Sequence, residues 1–473
     1  HLSLRRQRQM CIRDSKYITR LEDIRKQINE DLKAYEANKA TDPRYAGLPD
    51  LDSDYLGQLR QTIDKRIKFA KNPVYAKGVY ALSKANYIFN IALNVSSAII
   101  NTTVVPMITF PSLASKYGFV NAASAIKQAT SLYFKHSFTD PVTGALKFNP
   151  LPTFGTDIKN RTNRATNAQE KALLKELDLF HRTLENRSVI GTSAEQELRQ
   201  AQNIQLKGYE GLSEKVSFIM SYAFRNSERY NREVTALASY LLSRNMNTDG
   251  TKMDASRGQT SFRQAVEEAV RLDKEVNGAS LAETNAQFYQ TNLGRIVLTF
   301  RTQPLNMIIN VAMTMRNAIN AVEPDPQKRA ALTKAARRKL LGVFGATFML
   351  AGIKGLPLFG AAEVLAALMM GDDDDPYDLE QEVLASMGDL GLNGFVNKLF
   401  GIDVASRTGF YGLFWRDDPK RLAEVGYPVY MMEQLAGPTY NFVERGRRAF
   451  KDMGEGNFER AMEEFTPSPI RNG

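Results

Sequence analysis

Residues 213–242 read SEKVSFIMSYAFRNSERYNREVTALASYLL, and this stretch predicts one long helix in the middle of the chain. Ser213 is a suitable N-cap, because its hydroxyl can accept a hydrogen bond from a main-chain amide of the first turn. Glu228 and Arg232 lie four residues apart, so they can pair on one helical face, while Asn231 can bond to a neighbouring segment. We predict that Glu228, Arg229, Asn231 and Arg232 form a structural polar network, with a catalytic site as the alternative.

Helical periodicity also appears on both sides of this stretch. Apolar residues recur every three or four positions among charged ones, as in amphipathic helices. The segments are 16–40, 55–70, 160–205, 265–276 and 294–320, the last with a kink or break expected at Pro304. The predicted fold is therefore mainly α, an elongated multi-helix bundle with a short apolar helical hairpin near the C-terminal third.

A connector rich in proline and glycine, residues 137–156, divides the predicted bundle. We expect an N-terminal helical region at 16–136, a central helical domain at 137–320 and a C-terminal helical domain at 321–473. The length of 473 residues agrees with two to three domains.

The first fifteen residues are expected to be foreign to the protein. Arg5 to Ser15 reads RRQRQMCIRDS, which matches an in-frame translation of a transposase-type sequencing-library adapter. A basic tail or transit peptide is the alternative. Without residues 1–15 the formal net charge falls from +10 to +7, because four arginines and Asp14 are lost. We then expect the chain to be the C-terminal part of a longer protein.

Composition excludes several classes of protein. Hydrophobic residues make up 43% and aromatic residues 10%, which is enough for a substantial core. One cysteine and three histidines exclude a disulfide scaffold, a cysteine-rich zinc site and an iron–sulfur protein. No stretch of eighteen residues is both strongly apolar and free of charges and amides, which argues against a polytopic membrane protein.

Residues 85–115 carry no charge but are rich in amides and hydroxyls. Helical spacing places five polar side chains on one stripe: Asn86, Asn90, Asn94, Ser97 and Asn101. Pro106 and Pro111 are expected to break this helix. The stripe fits either a buried core helix whose amides satisfy a neighbour, or a helix that enters a bilayer or lines a pore.

Residues 340–370 are the most apolar segment and predict a helical hairpin. Each arm has about fourteen residues, near 20 Å of helix, which is too short for a hydrocarbon core of about 30 Å. Basic residues precede the hairpin and Asp372 to Asp375 follow it, so it fits either a membrane-surface element or a buried hairpin. Its candidate membrane residues are Leu340, Phe344, Phe348, Leu350, Pro357, Phe359, Leu365 and Met369.

Motifs for catalysis, cofactors and metals are missing from the sequence. It contains no HExxH, GxSxG, Walker loop or GxGxxG followed by a helix. The acidic run from Asp372 fails as an EF-hand, because Val383 stands where a bidentate glutamate is required. We expect no catalytic residue, no cofactor and no metal. Basic residues spread over many helices permit only non-specific nucleic-acid contact.

Four segments in order resemble the helical C-terminal regions of very large bacteriophage proteins. They are residues 94–118 (NVSSAIINTTVVPMITFPSLASKYG), 227–243 (SERYNREVTALASYLLS), 294–311 (GRIVLTFRTQPLNMIINV) and a tail that contains GIDVASRTGF, AGPTYNFVERGRRAF and GNFERAMEEFTPSPIRN. The families are the large polyvalent proteins and the internal virion proteins of short-tailed phages. Glu228, Arg229, Asn231 and Arg232 match the family's ER-x-NR pattern.

This resemblance implies a non-enzymatic segment of a virion protein that is ejected with the genome and assists DNA delivery across the bacterial envelope. The alternative is a polyvalent effector that binds host protein or DNA inside the cell and blunts defence. The implied partners are other ejection proteins or further copies of the chain, the bacterial membrane and non-specific nucleic acid. The implied location is the virion, then the host envelope or cytoplasm.

Overall fold

A computed structural model describes residues 18–31, 53–71, 95–138, 168–187, 222–278, 302–356, 379–402 and 438–465, together with a few isolated positions. Within these ranges every regular element is a helix, and the only β pairing is an isolated bridge between Met246 and Lys252. The mainly α prediction is confirmed. The elongated shape and the three-region division stay predictions.

The helices are numbered in chain order. They are α1 (18–31), α2 (Ser53–Lys71), α3 (Val95–Thr102), α4 (Phe110–Tyr117), α5 (Phe119–Phe138), α6 (Ala168–Asn186), α7 (Tyr222–Arg244), α8 (Phe262–Asn277), α9 (Thr302–Asn320), α10 (Pro326–Ala351), α11 (Leu379–Phe400), α12 (Pro438–Gly454) and α13 (Phe458–Phe465).

Helix α7 lies at the centre of the main core. Residues 231–243 are buried without interruption, because α3, α5 and α8 pack along it. Helix α6 joins them through Phe180, whose ring stacks on Tyr240 with centroids 4.1 Å apart. The predicted N-terminal part, residues 213–221, lies outside the described residues. Of the apolar residues on α6, Leu177 and Phe180 are buried, whereas Leu179 is exposed.

The two prolines after α3 do not break the chain's helical path, so that expectation was wrong. A π-helical turn, Val105–Thr109, continues from α3 into α4 and places Pro106 in its first turn. A proline removes one main-chain donor, and a wider turn changes which carbonyls need partners. The hydroxyls of Thr102 and Thr103 donate to the carbonyls of Ile99 and Ile100, so these two carbonyls have hydrogen-bond partners before the π-helical turn begins.

Helices α8 and α9 start at residues suited to helix N-termini. Ser261 caps α8 in a capping box with Gln264, in which each side chain bonds to the other's main-chain amide. Pro304 lies in the first turn of α9, where a main-chain donor has no intrahelical acceptor. Helix α9 begins at Thr302 and residues 295–301 lie outside the described residues, so the kink or break expected at Pro304 stays a prediction.

Helix α10 differs from the predicted hairpin. It starts at Pro326 behind an Asp325 cap and runs 26 residues to Ala351, so the predicted first arm is only its second half. Within the described residues α10 packs on α4, α9 and α11. A Cβ on Gly394 of α11 would overlap with the main chain of Gly352. The second arm, 361–370, lies outside the described residues.

Two further helix pairs have their own contacts. Leu21 and Ile28 of α1 pack against Ile63 and Ile67 of α2 in a separate apolar cluster. Helices α12 and α13 pack against each other, and each buries an alanine, Ala449 and Ala461 respectively.

Candidate functional site

The predicted polar network exists and extends from α7 to α8. Arg232 is 3% exposed and lies between two carboxylates, 3.6 Å from Glu228 and 3.4 Å from Asp273. Its guanidinium also donates to the carbonyls of Asn277 and Gly278 at the end of α8, both at 3.2 Å. One buried arginine thus ties α7 to the C-terminus of α8, where the helix dipole favours a cation.

Asp273 has an unusual electrostatic environment. Burial raises the pKa of its carboxyl from 3.8 to about 6, and Glu228 adds to this rise, while Arg232 and Asn277 oppose it. The amide of Asn277 donates to the carboxyl at 2.8 Å. Burial therefore outweighs ion pairing at this position, because removing a carboxylate from water disfavours its charged form.

A second ion pair on α7, Arg229 with Glu233, is offset from the first by one residue. Arg229 donates to Glu233 at 2.7 Å, and His181 of α6 lies 3.8 Å from the same carboxylate. Burial opposes ionisation of Glu233, but Arg229 and His181 outweigh it, so the pKa of Glu233 is lowered. A cavity of about 10 Å³ adjoins His181 and Glu233, which is room for about one water molecule and not for a substrate.

Amide and hydroxyl groups join α7 to α3 and the π-helical turn. Asn231 donates to the carbonyl of Asn101 at 2.6 Å, and the Asn101 amide donates to Ser227 at 3.1 Å. Thr109 and Thr235 share a buried hydrogen bond of 2.8 Å. For Asn101, these contacts favour the buried-core interpretation of the polar stripe. Asn86, Asn90 and Asn94 lie outside the described residues, and the Ser97 side chain is likewise undescribed.

Sequence reasoning missed two polar clusters. Glu176 of α6 accepts from Arg244 at 2.8 Å and from the Tyr240 hydroxyl. Lys339 of α10 donates to Glu275 at 2.6 Å and to Asn310 at 2.7 Å, which joins α8, α9 and α10. Their partners lie 29 to 68 residues apart in the chain, so no local spacing marks them.

The predicted membrane residues divide between core and surface. Leu340, Phe344 and Leu350 are half-buried against the main core, and Phe359 is buried. Phe348 is also half-buried. Pro357, Leu365 and Met369 lie outside the described residues.

The exposed apolar side chains of this region belong to other positions. On α10, Leu341 is 73% exposed and Met349 is 71% exposed. Helix α11, whose backbone leaves the helical region at Gly388 and Gly394, adds six large exposed side chains: Leu384, Met387, Leu390, Phe395, Leu399 and Phe400. We define these eight residues as the α10–α11 apolar surface.

The described residues include one stretch of membrane-spanning length. This helical stretch, Ala98–Tyr117, is long and apolar enough to cross a bilayer, and about half of it is buried in the protein, as a core helix would be. No group of three or more His, Cys, Asp or Glu side chains that could hold a metal is found in the described ranges.

Comparison with known protein families, curated protein sequences and solved structures finds no match to this chain. Its function is therefore inferred from its own residues and from the segment resemblance.

Proposed function

We propose that this chain is a non-enzymatic segment of a phage virion protein that is ejected with the genome and assists DNA delivery at the bacterial envelope. The four phage-like segments support the virion origin. The observation that carries the proposed activity is the α10–α11 apolar surface, through which the protein would dock on the bacterial membrane.

The chemistry of this surface favours a lipid environment. Large exposed apolar side chains on two helices that pack together can form an interaction site. Leu341 and Met349 each expose more than 70% of their surface, and α11 adds six further large side chains. Exposed basic residues on the first half of α10, such as Lys334 and Arg338, suit an interface that carries anionic headgroups.

The core is compatible with passage of the chain through a narrow channel. Cys11 is the single cysteine, so no intrachain disulfide can oppose unfolding. Buried ion pairs such as Arg232 with Asp273 contribute little net stability compared with apolar packing of similar volume. A helical core of this kind can unfold and refold without covalent or metal-dependent steps.

Vesicle flotation of the full chain tests the membrane step. We expect the wild-type chain to float with vesicles, and Leu341→Asp/Met349→Asp to remain at the bottom of the gradient. The matched control is Phe450→Asp/Met462→Asp, because these side chains on α12 and α13 are 68% and 69% exposed and lie outside the surface. Flotation of the Leu341/Met349 variant at the wild-type level would overturn the proposal.

Mass spectrometry of full virions, emptied particles and infected-cell fractions tests the delivery step. We expect the chain in full virions, its loss from emptied particles and its recovery with the host envelope. The effector alternative predicts salt-sensitive DNA binding or a stable host-protein complex together with indifference to lipid, and that result would replace the proposal.

A further inference from the structure

A basic groove lies along the first half of α10. It has a volume of about 460 Å³ and is lined by Pro326, Arg329, Ala330, Thr333, Lys334 and Arg337. Three of the six side chains are cationic and one carries a hydroxyl, so the lining can supply hydrogen-bond donors and positive charge. These are the groups that proteins use to bind phosphate.

Both arginines are held in place by main-chain carbonyls, one at the end of α9 and one in the connection to α10. Arg337 donates through Nε to the carbonyl of Ala318 at 2.9 Å. Arg329 donates through Nε to the carbonyl of Glu323 at 2.7 Å. A guanidinium has five N–H donors, so each arginine keeps further donors for a ligand while its planar group is already oriented. The Thr333 hydroxyl accepts from the amide of Ala321, which leaves its own hydrogen to donate.

Nearby carboxylates are engaged with main-chain amides. Asp325 caps α10 by accepting from the amides of Gln327 and Lys328, at 2.9 and 3.3 Å. Glu323 accepts from the amide of Asp325 at 3.3 Å. Both carboxylates keep their negative charge, and the three cationic side chains of the lining outnumber them.

Lys334 belongs both to the groove and to the exposed stripe of α10 that leads to the α10–α11 apolar surface. Lys334, Arg338, Leu341 and Met349 follow helical spacing on one side of α10 and are all exposed. The fifteen steps from Lys334 to Met349 span about 22 Å of helix. Cations thus lie at one end of the stripe and long apolar side chains at the other, an arrangement that matches headgroup and acyl layers.

We infer that this groove binds the phosphate of an anionic phospholipid headgroup and so orients α10 on the membrane. The inference rests on the proposed membrane docking and adds a headgroup specificity to it. Charge complementarity and continuity with the apolar surface favour a lipid over a free phosphate, which would require no apolar contact.

The test compares binding of the full chain to vesicles of phosphatidylcholine alone and to vesicles that contain phosphatidylglycerol. We expect tighter binding to the anionic vesicles, weakened by salt. Lys334→Gln/Arg337→Gln should weaken that binding by about 25-fold at low salt, about fivefold for each basic residue. Binding to neutral vesicles should be unchanged by the double variant.

Two further variants control for folding and for net charge. Lys334→Gln alone keeps the Arg337 contact to Ala318 and should still cost about fivefold. Lys127→Gln/Lys171→Gln removes the same charge from exposed positions on α5 and α6 and should leave anionic-vesicle binding unchanged. Equal losses of anionic-vesicle binding in the two double variants would overturn the headgroup-binding role of the groove, because the loss would then follow from net charge alone.

The remaining outcomes separate this inference from the proposed function. Equal binding of the wild-type chain to both vesicle types would overturn the headgroup-binding role of the groove but would leave the membrane-docking proposal intact. Binding to neither type would overturn the membrane proposal itself. Two results would reject the lipid headgroup as the occupant. One is competition by inorganic phosphate at a concentration equal to that of the lipid phosphate in the vesicles. The other is tighter binding to a short DNA duplex than to anionic vesicles.

Discussion

Helix α7 and the second half of α10 contrast in composition and in burial. Helix α7 contains six charged residues, yet residues 231–243 are all buried. The second half of α10, residues 340–351, contains no charge, yet Leu341 and Met349 expose more than 70% of their surface. The more polar helix is therefore buried along these residues, whereas the more apolar one keeps a solvent-exposed face.

The difference shows that position among neighbours decides burial more than composition does. Helix α7 has packed helices around it, and its charges are tolerated because Arg229 and Arg232 each find a carboxylate. Helix α10 packs on α4, α9 and α11, but Leu341 and Met349 on its remaining face stay more than 70% exposed within the described residues. We interpret such an uncovered stripe as a docking surface.

The largest expected effect comes from removing the central cation of α7. Arg232→Ala leaves Glu228 and Asp273 buried beside each other without their counter-ion, so we expect a loss of about 3–5 kcal/mol in the free energy of unfolding. Leu341→Ala, on the exposed stripe, should change it by less than about 0.5 kcal/mol. Urea denaturation measures both, and equal losses would remove the distinction between the two helices.

The contact between α10 and α11 should be nearly as sensitive. Gly394 has a φ of +80°, and a Cβ there would overlap with the main chain of Gly352 and Ala351, so Gly394→Ala should cost about 2–4 kcal/mol. Gly388 has a similar φ of +70° with an extended ψ but open space around it, so Gly388→Ala should carry only the backbone cost of about 1–3 kcal/mol, less than Gly394→Ala. Similar losses at both positions, measured by thermal unfolding, would show that the two helices do not approach closely.

Asp273 gives the central network a defined pH dependence. Because its folded-state pKa of about 6 exceeds the ordinary 3.8, its contribution to stability is complete below about pH 4 and is lost as the pH rises through 6. Asp273→Asn mimics the neutral acid, so it should match the wild type near pH 4 and exceed its stability by up to about 3 kcal/mol near pH 8.

The comparison with the wild type at each pH isolates this carboxyl. Glu233 and Glu176 have lowered pKa values, so their contributions are present above their ordinary pKa of 4.5 and are lost in acid, equally in both proteins. A stability difference between Asp273→Asn and the wild type that stays constant from pH 4 to 8 would contradict the raised pKa of Asp273.

The smallest expected effect lies on α10 itself. Gly345 is in the helix interior, and no other atom lies within 4 Å of the place that a Cβ would take, so Gly345→Ala should raise stability by about 0.5–1 kcal/mol. At Gly342 a Cβ would lie 2.9 Å from Cβ of Pro111, so Gly342→Ala should give no such gain. Calorimetry of both variants would locate the covered and uncovered sides of α10, and equal gains would contradict that assignment.

Local patterns predicted the helical class and the pairing on α7, because both depend on spacings of three and four residues. Glu228 and Arg232 are neighbours on any helix, whatever surrounds it. The role of Asp273 could not be predicted in this way, because it lies 41 residues from Arg232 and meets it only after α7 and α8 pack.

Pro106 misled the prediction for a physical reason. It would end an ideal α-helix, but a π-helical turn accommodates it. The apolar segment after Leu340 lies in a helix that begins at Pro326 and packs on α4, α9 and α11, which local hydrophobicity could not indicate. The second arm of the predicted hairpin lies outside the described residues, so the hairpin stays a prediction.

Hydrogen–deuterium exchange of the full chain, with and without vesicles that contain phosphatidylglycerol, tests the central claim most directly. We predict that residues 231–243 of α7 are protected in both conditions, while α10 and α11 gain protection only when vesicles are present. Unchanged exchange in α10 and α11, with added protection elsewhere or none, would contradict it.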